Sequence, residues 1–357
     1  MHYQGWCSIM TNNTEKLTLK QKLQGNYGRI KKDWDNPTKK RIRANKTMFF
    51  TGSVIRTLLL IGLVFIILLP IFQKISYAFR HPNTIADPQV VWIPSEFSIL
   101  NIQIAYKLLD FGTTVWNTIL ISTIVMFLQI ISSALVGYAF ARLKFKGSGL
   151  LFGLTIFTLV VPNETLHVAR TLFFTNTGFF GMKLIGNVLA IFIMSAFGQG
   201  IRSAIFIYLF RQFFKGLPPE LEESAQVDGA GVFRTFWSVM LPNARGAIVT
   251  VSLFSFVWQW NDYYFSNLFS YSEGGFSVLS TRLAGGTERL FTIISGWSTS
   301  GLEYFKELTD ESIRQNTLFH GLISNTAALL MMFPVLIGYL FFQKLFVESI
   351  ERTGIVG

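Results

Sequence analysis

Six apolar runs, each long enough to cross a bilayer as a helix, constrain this chain more than any other feature. A hydrocarbon core about 30 Å thick needs roughly 20 apolar residues in an α-helix. Uninterrupted runs of this length are not strands of a membrane barrel, which are shorter and alternate in polarity. We therefore expect an all-α polytopic membrane protein with six transmembrane helices, at about 53–77, 114–140, 150–168, 184–210, 247–269 and 319–346.

The composition agrees with lipid as the main solvent. Only 14% of the 357 residues are charged, against about 25% in soluble domains. The net charge of +11 does not indicate a nucleic-acid partner, because 11 of the 31 Lys and Arg residues lie before the first run. We interpret residues 1–52 as a basic cytoplasmic arm facing solvent or lipid headgroups. A single cysteine, Cys7, and four scattered histidines predict no disulfide within the chain and no metal site.

The distribution of positive charge predicts the orientation. With the amino terminus inside, the inner segments hold 20 Lys and Arg residues and the outer segments hold 8. Cytoplasmic loops carry such an excess, so we expect a multi-pass protein of the cell membrane with both termini on the cytoplasmic side. The segment 211–246 then faces the cytoplasm, and 266–318 faces outward. The outer segment includes an amphipathic stretch, Gly301 to Ile313, and we expect it to form a small folded cap because structureless loops of that length are uncommon.

The inner segment 211–246 has the pattern of two short helices joined by a turn. Pro218 and Pro219 suit the first turn of a helix, where the missing N–H is not needed, and acidic residues follow at the positive end of the helix dipole. Asp228 and Gly229 favour a turn. The spacing of the next residues predicts a helix with one apolar face, and Leu241-Pro242 ends it. The members of that face are Val232, Phe233, Phe236, Trp237 and Met240. An elbow lying on the membrane surface fits this spacing as well as a docking projection does.

The order of residues is more specific than their spacing. Glu223-Ser224-Ala225 is followed after three residues by Gly229, and after nine more by Val239-Met240-Leu241-Pro242. This closely resembles the Glu-Ala-Ala, three residues, Gly, nine residues, Ile-x-Leu-Pro signature of bacterial ABC importer permeases. Ser224 replaces the first Ala and Val239 replaces Ile. The flanking Leu-Pro-Pro-Glu-Leu-Glu-Glu and Val-Asp-Gly-Ala resemble the carbohydrate branch, the maltose-type permeases.

Other stretches extend the resemblance over residues 53–357, except for part of the outer segment near 280–318. They are Tyr138–Gly147, Phe210–Phe214, Trp260–Asp262 and the tail Phe346–Gly357. The resemblance implies the transmembrane domain of a type I ABC importer, with a cytoplasmic coupling helix that enters a cleft on an ATPase subunit. It implies coupling roles for Glu222, Glu223, Ser224, Ala225, Asp228, Gly229, Phe233, Phe236, Leu241 and Pro242.

Energy for transport has to come from another polypeptide. The chain has no Gly-x-x-x-x-Gly-Lys-[Ser/Thr] phosphate loop, so we expect no catalytic residues and no cofactor here, with ATP and Mg bound by partner subunits. The resemblance implies a second homologous permease, two copies of an ABC ATPase and an extracellular solute-binding protein. We expect membrane lipid and a carbohydrate as the remaining partners.

The translocation path is harder to predict. A charged residue within a span, such as Arg202, faces a cavity or a partner. It can meet sugar hydroxyls or the acidic group of a sugar, or it can pair with Asp262 or the second permease. An aromatic and polar cluster in the fifth run has the chemistry of a sugar site, although packing or an interfacial belt accounts for its aromatics equally well. The candidate path residues are Arg202, Gln199, Trp258, Trp260, Asn261 and Asp262.

The leading hypothesis is therefore the permease subunit of an ATP-driven sugar or oligosaccharide importer. The alternative is an ABC importer permease for another solute, such as an acidic sugar derivative, an amino acid, a peptide or a polyamine. An intramembrane transferase is disfavoured, since it needs several converging polar residues near a membrane face and the spans contain few.

Overall fold

The computed structural model describes residues 36–84, 92–177, 184–269, 276–298 and 316–354. Within these ranges the chain is helical, and the only extended pairing is one isolated bridge between Arg80 and Phe97. The α-helices follow in the order α1 (Pro37–Phe79), α2 (Leu100–Leu109), α3 (Phe111–Arg142), α4 (Ser148–Phe157), α5 (His167–Leu172), α6 (Leu189–Ala196), α7 (Ser203–Gly216), α8 (Glu220–Val227), α9 (Val232–Thr235), α10 (Leu241–Asn243), α11 (Arg245–Trp260), α12 (Tyr264–Phe269), α13 (Leu279–Ala284), α14 (Gly286–Ser298) and α15 (Thr317–Gly354).

Three helical stretches are long and apolar enough to cross a membrane. They are Asn45–Phe79 in α1, Phe111–Arg142, and Thr317–Lys344 in α15, and they overlap the expected first, second and sixth spans. Val232–Asn243 and Arg245–Trp260 pass the same test only as a pair, bent by 80°. The all-helical membrane architecture is confirmed, whereas the count of six spans stays a prediction because the described residues supply three or four such helices.

The third, fourth and fifth expected spans are not single helices. In the third, α4 stops at Phe157 and is followed by turns. In the fourth, α6 and α7 are separated by residues 197–202. In the fifth, α11 ends at Trp260, and a separate helix, α12, begins at Tyr264. Hydropathy records how apolar a run is but is insensitive to a change in backbone direction, so the sequence did not reveal these breaks.

The break between α6 and α7 has a local cause. Gly198 has a φ of 72° and Arg202 a φ of 52°, both in the left-handed region that ends helices. Gln129 of α3 fills the gap, with its side-chain amide donating to the Ile201 carbonyl at 3.2 Å. Ser132, one turn further along α3, donates to the Ser195 carbonyl at 2.9 Å. Broken helices are tolerated within a membrane when neighbouring side chains satisfy the freed backbone groups in this way.

α3 is the central helix of the part of the chain that begins at Ile71. It contributes Ile121 and Val125 to one buried apolar cluster, with α6 and α12. It contributes Ala134 and Tyr138 to a second, with α7, α11 and the segment that precedes α11. A third cluster joins α2, α14 and α15 around Trp260. Since two of the three clusters are built on α3, this helix positions both the break and the elbow described below.

α1 differs from the other long helices in its surface. The chain divides into two compact units, one ending at Pro70 and the other beginning at Ile71, and α1 runs through that boundary. Its most apolar window has no buried residue. Such a helix requires lipid or another apolar partner around it. The expected boundary at residue 52 falls inside α1, so the division into a basic arm and a transmembrane domain stays a prediction.

The expected outer segment is only partly described. Its first residues, from position 266, belong to α12, and α13 and α14 follow within it. The amphipathic stretch Gly301 to Ile313 lies outside the described residues. Residues 1–35 of the basic arm also lie outside them.

Close packing of α3 against α7 depends on one glycine. An added Cβ at Gly137 would lie 2.7 Å from the Phe210 Cβ and 3.0 Å from the Arg211 backbone nitrogen. Neither neighbour is the end of a flexible side chain, so the two helices would have to separate. By contrast, an added Cβ at Gly153 of α4 meets nothing within 4 Å.

We therefore expect Gly137→Ala to destabilise the protein by about 1–3 kcal/mol, the usual cost of overpacking. Gly153→Ala is the matched control, since an open helical position gains about 1 kcal/mol in helix propensity. Thermal unfolding of the purified protein in detergent measures both variants. Equal melting temperatures for the two would show that the α3–α7 contact is looser than described.

Candidate functional site: the elbow before α11

The elbow, defined here as residues 217–244, connects α7 to α11. Its first helix, α8, begins directly after Pro219 and carries Glu220, Glu222 and Glu223 in its first turn. The arrangement matches the expectation from sequence, because the carboxylates lie at the positive end of the helix dipole.

A backbone turn at Gly229 ends the first helix. Gly229 has a φ of 76°, and its N–H donates to the Gln226 carbonyl at 3.0 Å. The Ala230 N–H donates to the Ala225 carbonyl at 2.9 Å. These two bonds form a Schellman motif, which favours glycine because a Cβ resists the left-handed conformation. Asp228, the C-cap residue, is exposed beside this turn.

The second half of the elbow divides its apolar residues between two faces. The expectation of one apolar face is wrong, because the members of that face differ in burial; residues Phe236–Met240 form a π-helical turn within it. Phe236 is 1% exposed and Met240 is fully buried, both against the interior of the chain. Phe233 is 74% exposed and Trp237 is 47% exposed. Only the second pair is available to a partner, so Phe236 supports the elbow from within.

Pro242 does not end the helical path, as had been expected. Leu241 and Pro242 lie in the short helix α10, which continues the helical path from Val232 as far as Asn243. The change of direction occurs at Ala244, the residue between α10 and α11. Leu241 is partly buried and Pro242 is exposed.

The acidic residues of α8 have different environments. The Tyr138 hydroxyl of α3 donates to Glu222 Oε1 at 2.9 Å. Arg142 Nε lies 3.8 Å from Glu222 Oε2, and Arg142 Nη2 donates to the Leu217 carbonyl at the start of the elbow. Glu222 is thus held by its own chain, whereas the sequence placed it among the residues that face an ATPase. The neighbouring coupling candidates divide similarly, since Glu223 and Ser224 are exposed and Ala225 is buried.

Two of the candidate path residues meet beside the α6–α7 break. The Arg202 guanidinium lies over the Trp258 ring, 4.7 Å from its centroid. The rings of Phe206 and Phe254 also stack with Trp258, at centroid distances of 5.2 and 5.4 Å. Arg202 is exposed, as is Gln199 in the same break. A cation and an aromatic face at one exposed position form a surface that can hold a polar ligand.

The other candidate path residues have structural roles. Trp260 is 2% exposed, and its indole N–H donates to the Met331 carbonyl at 3.1 Å. Asp262 is 8% exposed and caps α12, accepting from the Ser266 N–H at 2.8 Å. No ion pair between Arg202 and Asp262 is found among the described residues. Asn261 is exposed, with its side chain donating to the Val257 carbonyl at 2.9 Å.

Sequence reasoning did not single out three polar side chains of the interior. Gln129 supports the break, and Tyr138 binds the elbow. Gln259 is 3% exposed, and neither polar atom of its amide has a hydrogen-bond partner in the described part of the chain. A polar residue inside an apolar run is itself a signal, and it could have identified Gln129 and Gln259. The role of Tyr138 depends on a contact 84 residues away, which no local pattern contains.

The fold and the elbow define a helical membrane protein that carries a projection between two of its helices. Residues 133–352 match the family described as binding-protein-dependent transport system inner membrane component, and the chain belongs to that family. It is a transport component, the permease subunit of an ABC importer, as the signature from Glu223 to Pro242 had indicated.

Relatives of known description agree with this assignment. The maltodextrin transport system permease MalD of Streptococcus pneumoniae is 28% identical over 302 residues, which cover 83% of this chain and 93% of the relative. The arabinooligosaccharides transport system permease AraQ of Halalkalibacterium halodurans is 24% identical and covers 86% of this chain and 99% of its own length. A crystal structure of a bacterial ABC transporter that imports the acidic polysaccharide alginate has a TM-score of 0.61 at 20% identity, covering 82% of this chain and 96% of that chain. The last likeness establishes the fold alone.

Two glycines of the elbow allow a matched test of the turn. Added side chains at Gly229 and Gly231 both meet open space, but only Gly229 has a positive φ. We expect Gly229→Val to strain the turn by about 1–2 kcal/mol and to speed amide hydrogen exchange at Ala230. Gly231→Val, in extended backbone, should leave the exchange unchanged. Equal exchange rates in the two variants would mean that the Schellman turn does not hold the elbow.

Proposed function

We propose that this chain forms half of the translocation pathway of an ATP-driven, binding-protein-dependent importer of a sugar or oligosaccharide. The observation that carries the choice of cargo is the agreement among relatives that align with most of the chain. Two of them are named for maltodextrin and arabinooligosaccharides. A third, MelC of Bacillus subtilis, is named for melibiose, raffinose and stachyose and is 26% identical over 74% of this chain.

An acidic or phosphorylated solute is the second candidate. A relative from Yersinia enterocolitica, 28% identical over 58% of this chain, is an sn-glycerol-3-phosphate transport system permease. The exposed guanidinium of Arg202 supplies a charge that suits an anionic group. Neutral sugars remain the first choice because the relatives named for them cover more of the chain.

The proposed assembly contains this chain, a second homologous permease, two ABC ATPases and an external solute-binding protein. The excess of Lys and Arg in alternate segments supports an orientation with both termini and the elbow in the cytoplasm. ATP and Mg are held by the ATPases, whose closure around the nucleotide moves the elbow. The attached helices follow, and the central cavity opens to alternate sides of the membrane.

The proposed contact with the ATPase is the exposed face of the elbow. Phe233 and Trp237 are large, apolar and exposed, which is the chemistry of residues that anchor an interface in a pocket. Glu223 lies exposed on the preceding helix and can meet a basic residue of the partner. The turn at Gly229 sets the angle between the two helices. Phe236, Met240 and Ala225 fix this face from behind.

The proposed path runs beside the α6–α7 break. Arg202, held over the Trp258 ring, and Gln199 offer hydrogen-bond donors to the hydroxyls of a sugar. Trp260 and Asp262 are buried, so we no longer count them among the residues that line the path. Asn261 keeps an exposed position and remains a candidate.

The choice of cargo is tested by uptake in cells that carry the complete transport system. We expect ATP-dependent uptake of labelled malto- or arabino-oligosaccharides that is lost when this subunit is deleted. Arg202→Gln, which removes the charge but keeps an amide donor, should reduce uptake of a neutral sugar only a few-fold. If glycerol phosphate or an acidic oligosaccharide is taken up instead, and Arg202→Gln abolishes that uptake, the second candidate is correct.

The docking face is tested by two matched phenylalanines. Phe233 on the elbow and Phe341 on α15 are exposed to similar extents, 74% and 78%. Loss of a phenylalanine buried at an interface costs about 1.5–3 kcal/mol, so Phe233→Ala should weaken association with the ATPase about ten- to hundredfold. Phe341→Ala should leave it unchanged. The affinity of the purified permease for the ATPase measures both, and equal affinities would exclude Phe233 from the interface.

A further inference from the structure

Glu222 lies in the elbow but points into its own chain. Its side chain is 16% exposed, and its carboxylate is shared between the Tyr138 hydroxyl at 2.9 Å and Arg142 Nε at 3.8 Å. Both partners belong to the last turns of α3. Glu223, the next residue, is exposed to solvent. The two adjacent carboxylates therefore serve different surfaces.

Tyr138 packs against the elbow and against the end of the helix that precedes it. Its ring lies 5.3 Å from the Phe236 ring in the π-turn and 5.8 Å from the Phe214 ring at the end of α7. The side chain itself is 3% exposed. Arg142 adds the bond to the Leu217 carbonyl. The end of α3 thus binds the elbow at its entrance, at its first helix and at its π-turn.

The same helix holds the α6–α7 break at a second point. Gln129 is nine residues before Tyr138 on the unbroken α3, a distance of about 14 Å along the axis. Its amide donates to Ile201 and accepts from Ser255 of α11. A displacement of α3 along or about its axis therefore changes both contacts. Ile201 is next to Arg202, the exposed cation beside Trp258.

We propose that Glu222 is a positioning residue that tethers the elbow to α3, through Tyr138 and Arg142, so that movement of the elbow is transmitted to the break. This inference rests on the proposed function as an ATP-driven importer. The tether assigns Glu222 to coupling within the permease, while Glu223 and Phe233 remain the groups that face the ATPase. Without the tether the ATPases still bind and hydrolyse ATP, but less of their movement reaches the path.

The experiment uses the complete transporter in proteoliposomes and measures ATP hydrolysed per solute imported. Tyr138→Phe removes only the hydroxyl, and Glu222→Met removes the carboxylate at similar length. We expect each variant to raise the ratio about three- to tenfold, as expected for one lost hydrogen bond. The double variant should match Glu222→Met, because Tyr138→Phe removes only a hydrogen bond that Glu222→Met has already removed. Glu220→Met and Tyr208→Phe, at exposed residues, are the matched controls for loss of a carboxylate and of a hydroxyl.

The measurement separates the tether from a structural role and from a contact with the ATPase. Unchanged ratios in both single variants would overturn the proposal, as would strictly additive effects in the double variant. Loss of ATPase binding in Glu222→Met would show that Glu222 contacts the ATPase, and it would also overturn the proposal. A lower melting temperature alone, with a normal ratio in the protein that remains folded, would assign the contact to stability. A wild-type complex whose ATPase does not respond to any solute would contradict the proposed function, independently of the tether.

Discussion

The fold depends on satisfying backbone polar groups where helices break inside an apolar environment. Lipid offers no hydrogen bonds, so each freed N–H and C=O needs a partner from the protein. Gln129 and Ser132 supply partners at the break between α6 and α7. At the start of α12, Asp262 accepts from the Ser266 N–H. At the end of α1, the Asn101 amide donates to the carbonyls of Tyr77 and Arg80. Several buried polar residues of the described chain thus serve helix ends, either from the end itself or from a neighbouring helix.

The division of the elbow into two faces follows from the same packing. Phe236 and Trp237 are adjacent in sequence, and their ring centroids lie 5.2 Å apart. Phe236 nevertheless enters the cluster around Tyr138, while Trp237 stays exposed. A large apolar residue is thereby available to a partner without loosening the interior. The buried side of the elbow and the side that is available to a partner are thus built from residues next to each other in sequence.

The sequence predicted what depends on run length and residue order. The helices at α1, α3 and α15, the turn at Gly229 and the family followed from those properties. The breaks did not, because Gly198 and Arg202 are unremarkable to a hydropathy average and decisive only through their backbone angles. No pattern in the sequence distinguishes Trp258 from Trp260. In the structure, Trp258 lies under the exposed Arg202 guanidinium, whereas the Trp260 indole donates to the Met331 carbonyl. Such differences are set by neighbours far away in sequence.

The length of α3 has a consequence for where the Glu222 contact lies. Thirty-two helical residues extend about 48 Å, against a hydrocarbon core of about 30 Å. About 18 Å of the helix must therefore project beyond the acyl chains, less any tilt. Arg142 is its last residue, and Tyr138 lies about one turn before it. The contact with Glu222 is thus made at one end of a long helix, where a small change of tilt produces a larger displacement than at its middle.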